Sequence, residues 1–457
     1  MQRYTIDLDD ERLERVDHRR PRPRARAASA PPLVPARPSP RYLNVVPSSH
    51  PATAGRKHPP PVRYGGVGSG PTSPRGEAVR YSRAVQAIPH SGIREVMELA
   101  WAVEDAIHLE VGDPSFPTPP HIVEAAAQAA RDGWTRYVSS AGVPKLREAI
   151  AEKLRKHNGL EVEPGQVIVT AGGIGAVQAA MVAVLEPGDE ILIPDPAWPN
   201  FRMIASVLHA PERLYPLRPE HGFLPAVEDL ERACGPRTRA VLVNSPSNPL
   251  GTIIPADRLR EVLAFAEERD LWVISDECYD QITFEDGFVS AASLGRPERV
   301  LSCYTFSKTY AMTGWRVGYL AGPPDAADLG DKIQQALVSC VNAPAQMAAL
   351  AALTGPQDAV TEMRETYRER RDALVALFAE HGVTCVRPTG AFYAWVDVTG
   401  RAASSHQFAV ELLRQERVAV APGTAFGPAG EGWVRLSLAS ETDALLEGAR
   451  RLARFSV

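Results

Sequence analysis

The stretch TFSKTYAMTGWRVG, residues 305–318, decides how this chain is interpreted. A lone lysine in a loop is usually solvated. Lys308, however, follows an apolar run and lies among small, aromatic and apolar residues, which indicates burial. Burial and nearby positive charge lower the pKa of an ammonium group, and a Schiff-base lysine requires this. Arg316 follows in the same stretch, and its guanidinium can bind a phosphate through two hydrogen bonds.

Short apolar runs alternate with helical runs around that stretch. Continuous β-branched runs separated by helices are typical of a mainly parallel sheet covered on both faces, so the sequence predicts an α/β fold. Each apolar run ends in a polar or glycine-containing turn, and ligands of open α/β sheets bind beyond the carboxyl ends of the strands. We therefore expect these turns to converge on one site. The predicted strands are 167–169, 191–193, 240–243, 271–274 and 300–303, and the predicted helices are 121–132, 143–157 and 176–185.

Two of these turns contain candidate ligand-binding residues. Residues 170–174, TAGGI, lie between a predicted strand and a predicted helix, where free backbone N–H groups attract an anion. A tight packing turn explains these glycines equally well. Asp276 ends another run, and its carboxylate can bind a metal, pair with a protonated ring nitrogen or cap a helix. Taken alone, Asp276 is best interpreted as a helix cap.

The composition separates a leader from a globular body. The chain has 457 residues, of which 44% are hydrophobic, so it can bury a sizeable core. Residues 1–80 contain 14 of the 41 prolines and 15 Lys/Arg against 7 Asp/Glu, whereas the remainder has 35 basic against 48 acidic residues. We expect the leader to be a disordered tail, or the result of a start site placed too far upstream. The alternative is an arm that binds nucleic acid or another anionic surface.

Several classes of protein are disfavoured. No apolar stretch is long enough to span a membrane, and residues 1–80 lack the apolar run of a signal peptide, so we expect neither feature. The five cysteines are scattered without paired spacing, which predicts neither disulfides nor a zinc site and fits the reducing cytoplasm. The histidines form no metal-binding pattern, so we expect no metal.

A series of ordered motifs then identifies a resemblance. From about residue 82 to its end, the chain resembles the class I/II aminotransferases, which are fold type I enzymes that use pyridoxal 5′-phosphate (PLP). The motifs are IPHSGIRE (88–95), LEVGDPSFPTP (109–119), RYVSSAGVPKLREAIA (136–151), PDPAWPNF (194–201), NSPSNPLGT (244–252), SDECYD (275–280), the Lys308 stretch, APGTAFG (421–427) and VRLSLA (434–439).

The resemblance implies an architecture. A large PLP-binding domain over 121–352 would contain a mainly parallel seven-stranded sheet. A smaller α+β domain would combine 353–457 with an N-terminal arm at 81–120. The resemblance also implies a homodimer, in which Tyr137 crosses to the phosphate of the neighbouring subunit.

The resemblance assigns roles to named residues. Lys308 would form the Schiff base (aldimine) with PLP and later move a proton between Cα and the cofactor. Asp276 would keep the pyridine nitrogen protonated. The remaining cofactor contacts would be Trp198 on the ring, Asn248 and Tyr279 at the phenolic oxygen, and Gly173, Ile174, Thr305 and Arg316 at the phosphate.

The implied reaction is ping-pong transfer of an amino group from an L-amino acid to a 2-oxo acid, with 2-oxoglutarate as the expected acceptor. Arg435 would bind the substrate α-carboxylate, assisted by Gly112 and Asn248. The donor stays open: Ile174 stands where one aspartate-specific branch has a lysine, and Trp198, Phe116 and Phe392 suggest room for aromatic or aliphatic side chains. The alternatives are a β-lyase or related reaction on the same residues, and a non-catalytic PLP-sensing regulator.

Overall fold

The computed structural model describes residues 81–86, 88 and 91–457. The predicted leader, 1–80, lies outside the described residues. The helices within them do not combine the length and apolar character needed to cross a bilayer.

The described residues form thirteen β-strands. They are β1 (Ile107–His108), β2 (Val167–Thr170), β3 (Glu190–Asp195), β4 (Glu212–Pro216), β5 (Thr238–Asn244), β6 (Trp272–Asp276), β7 (Val300–Thr305), β8 (Gly318–Ala321), β9 (Cys385–Val386), β10 (Tyr393–Asp397), β11 (Val418–Ala419), β12 (Ala421–Pro422) and β13 (Trp433–Ser437).

Fourteen α-helices accompany these strands in the described part of the chain. They are α1 (Arg83–Gln86), α2 (Gly92–Trp101), α3 (Pro120–Arg131), α4 (Pro144–Lys153), α5 (Gly172–Val184), α6 (Asn200–Val207), α7 (Val227–Ala233), α8 (Ala256–Glu268), α9 (Phe306–Thr309), α10 (Pro324–Leu337), α11 (Ala343–Thr354), α12 (Asp358–Glu380), α13 (Ser405–Glu416) and α14 (Thr442–Arg454).

Seven strands form one sheet in the order β2-β8-β7-β6-β5-β3-β4. β8 pairs antiparallel with both of its neighbours, so the other six strands all point the same way. The prediction of a mainly parallel seven-stranded sheet in an α/β fold is therefore confirmed. Because six carboxyl ends lie at one edge, the polar residues that end these strands are brought together there.

Helices cover both faces of this sheet, which explains why its strands are apolar without alternation. Successive residues of a strand point to opposite faces. On β5, Ala240 and Leu242 pack with buried residues of α5 and α6, whereas Val241 and Val243 pack with buried residues of α7 and α8. All residues of β2 and β7 are likewise buried.

A second, antiparallel sheet has the order β12-β13-β10-β9. Its core contains buried residues of α12, α13 and α14, and β1 pairs with β11 beside it. The domain boundaries at 120/121 and 352/353 stay a prediction.

The structure differs from the sequence prediction in some elements. The helix predicted over 143–157 is α4 followed by a turn of π-helix, Leu154–Asn158, which ends at Gly159 in the left-handed conformation with φ of 65°. The helix predicted over 176–185 begins earlier, at Gly172. Sequence patterns did not predict β4, an edge strand in which only Tyr215 is buried, or β8, whose sequence GYLA contains no β-branched residue.

Gly318 allows the reversed strand β8 to lie against the turn between β2 and α5. A Cβ atom at Gly318 would lie 2.5 Å from the carbonyl carbon of Gly172 and 2.7 Å from the nitrogen of Gly173, both of which are backbone atoms. The Tyr304 carbonyl oxygen on β7 would also lie 2.7 Å from this Cβ atom, and backbone cannot yield as a flexible side chain can. The contact therefore requires glycine.

We expect Gly318→Ala to lower the free energy of unfolding by about 1–3 kcal/mol through this overpacking. Gly314→Ala is the matched control, because a Cβ atom at Gly314 meets nothing within 4 Å. That variant should stay within about 0.5 kcal/mol of the parent protein. Urea unfolding of both variants measures the difference, and equal stabilities would contradict the interpretation.

Candidate active site

A cavity of about 390 Å³ lies at the carboxyl edge of the seven-stranded sheet. It brings together eleven of the twelve residues that the sequence predicted for the site. They are Gly112, Gly173, Ile174, Trp198, Asn248, Asp276, Tyr279, Thr305, Lys308, Arg316 and Arg435. The roles assigned to these residues stay predictions.

Tyr137 is the exception, because it does not line this cavity. Its side chain lies on the surface of the chain and is 87% exposed. Tyr137 therefore does not contact the cavity of the same chain.

Lys308 lies in the single turn α9 directly after β7. Thr305 caps this turn, since its hydroxyl oxygen accepts a hydrogen bond from the Ser307 amide at 3.1 Å. The Lys308 Nζ donates to the Gly112 carbonyl oxygen at 2.7 Å and lies 5.8 Å from the centre of the Phe392 ring. The turn thus holds a primary amine at the strand ends, where it faces the cavity.

Asp276 ends β6 and presents a buried carboxylate to the cavity. Its Oδ1 accepts a hydrogen bond from the Cys278 amide at 3.1 Å. Burial raises the pKa of Asp276 to about 6, against the opposing effect of hydrogen bonds from Cys278. Among the described residues no basic side chain forms an ion pair with it, so the site has room for a cationic partner.

Arg435 presents the opposite case, a buried guanidinium that extends from β13 of the smaller sheet. It is 2% exposed. Its Nη1 donates to the Asn248 side-chain oxygen at 2.9 Å, its Nη2 donates to the Glu110 carbonyl oxygen, and its Nε has no partner in the described residues. Burial lowers the pKa of Arg435. A carboxylate would supply the missing countercharge.

The beginning of α5 and Arg316 form a cradle for an anion. Gly172 has φ of 75°, and a Cβ atom there would lie 2.4 Å from Nη2 of Arg316. Arg316 itself has φ of 55°, and its Nη1 donates to the Thr313 carbonyl oxygen at 2.9 Å. The glycines therefore serve both a tight turn and the close approach of a guanidinium to a helix N-terminus, which is a geometry suited to a phosphate.

Glu277 fixes the loop that carries Asp276. Its Oε1 accepts hydrogen bonds from Ser275 Oγ at 2.9 Å and from the Ala291 amide at 3.0 Å. Its Oε2 accepts from Ser290 Oγ at 2.7 Å and from the Tyr304 hydroxyl at 2.8 Å. Four donors thus satisfy a buried carboxylate directly behind the cavity.

Lys153 fixes the far end of the same loop. Its Nζ forms a buried ion pair with Asp280 and donates to the Asn158 side-chain oxygen at 2.8 Å. It also lies 4.8 Å from the centre of the Tyr304 ring. The turn of π-helix that contains Asn158 therefore supports the site from outside.

Sequence reasoning assigned no role to several residues of the cavity wall. They are Ile93, Asn200, Asn244, Cys278, Ser307, Thr313 and Tyr393. Cys278 and Ser307 adjoin predicted site residues, so their position in the chain was an available signal. Tyr393 lies on β10 of the other sheet, where no polar strand end marks it.

Of the three aromatic residues proposed to shape a substrate pocket, only Trp198 lines the cavity. Trp198 makes an edge-to-face contact with Phe201 at 5.5 Å. Phe392 is fully buried behind Tyr279 and Tyr393, and Phe116 packs edge-on against Tyr367. The suggestion that the two phenylalanines shape the pocket is therefore not supported by their positions.

Comparison with known proteins places this geometry in a family. The family model for aminotransferase class I and II matches residues 104–452. The chain is 40% identical to the aspartate/prephenate aminotransferase of Thermus thermophilus, over 82% of this chain and 98% of that one. It is 36% identical to the aromatic-amino-acid aminotransferase 2 of Thermococcus litoralis, over 82% of this chain and 97% of that one.

Solved structures agree with this assignment. The structure of aspartate aminotransferase from Thermus thermophilus with maleate matches with a TM-score of 0.78 and 38% identity, covering 82% of this chain and 99% of that one. Enzymes of this superfamily use pyridoxal 5′-phosphate. The free amine, the unpaired carboxylate and the anion cradle described above fit that cofactor. The chain belongs to the class I and II aminotransferases of fold type I and is a PLP-dependent enzyme that transfers amino groups between amino acids and 2-oxo acids.

Proposed function

We propose that this enzyme transfers the amino group of an L-amino acid to a 2-oxo acid in two half-reactions of a ping-pong cycle, with Lys308 as the proton carrier. One observation supports this above the others. The Lys308 amine shares a single cavity with a buried carboxylate and a buried guanidinium, Asp276 and Arg435, each without an ion-pair partner in the described residues. The choice of 2-oxoglutarate as acceptor rests on the sequence resemblance.

PLP, when bound, supplies an electron sink that stabilises negative charge on the substrate α-carbon. We assign Asp276 to the protonated ring nitrogen, because a cation there would remove the cost of its buried charge. Trp198 is assigned to the ring face, and Asn248 and Tyr279 to the phenolic oxygen. The phosphate is assigned to the anion cradle, which the beginning of α5 and Arg316 form. Its contacts there are assigned to Gly173, Ile174, Thr305 and Arg316.

Lys308 is assigned the proton that leaves the substrate α-carbon. Its Nζ is held by the Gly112 carbonyl, at 2.7 Å, which keeps the amine within the cavity. A general base works best when it is already placed beside the proton it removes. The short turn α9 provides that placement.

Arg435 is assigned to the α-carboxylate of both substrates, with help from Gly112 and Asn248. Asn248 already contacts the Arg435 guanidinium through its side-chain oxygen. A carboxylate bound there would orient the α-carbon toward Lys308, which is the purpose of a clamp in such a reaction.

The charged residues of the cavity wall limit how a second carboxylate of a substrate can be bound. Asp276, Lys308, Arg316 and Arg435 are the charged residues among the described lining, and each already has an assigned role. The described cavity wall therefore supplies no further lysine or arginine for a second carboxylate, so the distal carboxylate of 2-oxoglutarate or of an aspartate donor needs a cation from outside this wall. The donor is still open between aspartate, aromatic and aliphatic amino acids.

The assembly and the location are also part of the proposal. A homodimer, with Tyr137 reaching the phosphate of the neighbouring subunit, is consistent with the exposure of that side chain. The division into a large domain, 121–352, and a small domain formed by 81–120 and 353–457 follows the resemblance. The scattered, unpaired cysteines support a location in the cytoplasm.

A screen of amino donors against 2-oxoglutarate and pyruvate tests the activity directly. We expect at least one L-amino acid to yield its 2-oxo acid together with glutamate or alanine. Lys308→Ala should lower that rate by at least about 100-fold, because the general base is lost. Lys332→Ala, an exposed helical position, is the control and should not change the rate.

The absence of keto-acid-dependent exchange with every donor would contradict the proposal. Release of ammonia from a single amino acid, without an acceptor, would instead support a lyase.

The role of Arg435 predicts the effect of Arg435→Lys. The variant keeps the charge and loses the paired donors, so kcat/KM should fall about tenfold to 100-fold for the amino acid and for the 2-oxo acid alike. Arg414→Lys, at an exposed position of α13, is the matched control. Steady-state kinetics of both half-reactions measure the effect, and a loss confined to one substrate would argue against a shared carboxylate site.

The raised pKa of Asp276 predicts a dependence of stability on pH in the cofactor-free protein. Its pKa rises from 3.8 to about 6 on folding, so ionised Asp276 weakens the fold, and this cost appears as the pH increases from about 4 to about 6. Relative to the parent, Asp276→Asn should therefore gain up to about 3 kcal/mol of unfolding free energy across that interval and remain level above it.

Urea unfolding at a series of pH values measures this difference. Lys332→Gln, an exposed helical position without a carboxyl group, is the control and should show the same pH dependence as the parent. A constant difference between Asp276→Asn and the parent would show that this carboxyl does not titrate in the interval.

A further inference from the structure

Tyr393 joins the two sheets at the cavity, and none of the roles assigned in the proposed reaction falls to it. It begins β10 of the smaller sheet and is 2% exposed, yet it lines the cavity at the strand ends of the larger sheet. Its side chain contacts three groups that already have assigned roles. These contacts are the Tyr279 hydroxyl, the Arg435 guanidinium and the Gly112 backbone.

The first contact is a hydrogen bond between two hydroxyl groups. The oxygens of Tyr393 and Tyr279 are 2.9 Å apart. Burial raises the pKa of Tyr279 well above its usual range, so its phenol keeps its proton. Only one proton can lie between the two oxygens. When Tyr393 is the donor of this hydrogen bond, the Tyr279 hydroxyl can donate its own hydrogen bond to an acceptor in the cavity.

The second contact involves the face of the Tyr393 ring. The Arg435 guanidinium lies 4.4 Å from the ring centre, which is within the range of a cation–π interaction. The ring attracts the guanidinium without occupying any of its N–H donors. Tyr393 therefore holds Arg435 while leaving those donors for a carboxylate.

The third contact is with Gly112. A Cβ atom at that position would lie 2.1 Å from the Tyr393 hydroxyl oxygen, so the end of the tyrosine side chain packs directly against this backbone. The carbonyl of the same residue accepts the hydrogen bond from Lys308. The position of Tyr393 is thereby linked to that of the amine.

We propose that Tyr393 is a positioning residue for amino transfer. Its hydroxyl orients the Tyr279 hydroxyl toward the cofactor, and its ring holds the Arg435 guanidinium in place for the substrate carboxylate. The proposal rests on the roles given to Tyr279 and Arg435 in the proposed function. The hydroxyl and the ring of Tyr393 thus have separate roles, and two variants can remove them one at a time.

Tyr393→Phe removes the hydroxyl and keeps the ring. We expect the midpoint of the pH titration of the cofactor's visible absorbance to shift by about half a unit or more, and kcat to fall roughly threefold to tenfold, the value of one hydrogen bond. KM should stay within about twofold, because the contact with Arg435 remains. In a Tyr279→Phe background the same substitution should cause no further shift of the midpoint, since the two changes act on one interaction.

Tyr393→Leu removes the ring as well. This variant should show the same shift of the midpoint. It should also bind 3-phenylpropanoate, a carboxylate without an amino group, about threefold to tenfold more weakly, because the Arg435 guanidinium keeps only the Phe426 ring, 4.8 Å away. Fluorescence or absorbance titration of the holoenzyme measures this binding without turnover. Tyr393→Phe should bind the same compound as tightly as the parent.

Tyr215→Phe is the matched control. Tyr215 is also buried, and its hydroxyl donates to the Leu242 carbonyl oxygen at 2.7 Å, on β4 and β5 away from the cavity wall. Its loss should lower stability without moving the absorbance titration.

Three results would overturn the proposal. They are an unchanged midpoint in Tyr393→Phe, the same shift persisting in the Tyr279→Phe background, and failure of Tyr393→Phe to fold when Tyr215→Phe folds. A parent protein that binds PLP but transfers no amino group would refute the proposed function instead, and its absorbance titration would still test Tyr393.

Discussion

A buried carboxylate and a buried guanidinium that lack ion-pair partners within the described chain face one cavity from two different sheets. Removing a charge from water costs several kcal/mol unless an opposite charge or good hydrogen bonds replace the water. Asp276 and Arg435 have hydrogen bonds in place of some of this water, but no opposite charge among the described residues. The cavity is therefore prepared for one cationic and one anionic group, and the rest of the fold serves to hold these two charges in place before the groups arrive.

The larger sheet holds its charge through the loop that follows β6. Asp276 faces the cavity, while Glu277 faces away and is bound by four donors. Asp280 ends the loop in a buried ion pair with Lys153. Such anchoring matters because an error of about 1 Å in a catalytic group is costly. Arg435 extends from β13 of the smaller sheet and lies against the rings of Tyr393 and Phe426, while Asn248 and the Glu110 carbonyl, which lie outside that sheet, accept its hydrogen bonds.

Sequence reasoning predicted the part of this arrangement that depends on strand ends. In a parallel sheet the residues at the carboxyl ends must meet, so Gly173, Asp276 and Lys308 could be placed together from pattern alone, and the ordered motifs added Arg435. Tyr393 could not be found in this way, because its contacts depend on how two sheets pack. Neither could β8, since its sequence GYLA has none of the β-branched residues that identified β2. The role of Tyr137 depends on a second subunit and stays a prediction.

The reversed strand has a consequence for how the molecule is assembled during synthesis. β8 pairs with β7, its near neighbour in sequence, and with β2, which lies about 150 residues earlier in the chain. Pairings between distant segments carry a higher loop-closure cost than local pairings, and they slow folding. The Gly172 turn meets Gly318 only when that pairing is made. A growing chain that has not yet produced β8 therefore has no complete anion cradle, because the turn that begins α5 packs against Gly318 only when the principal sheet is finished.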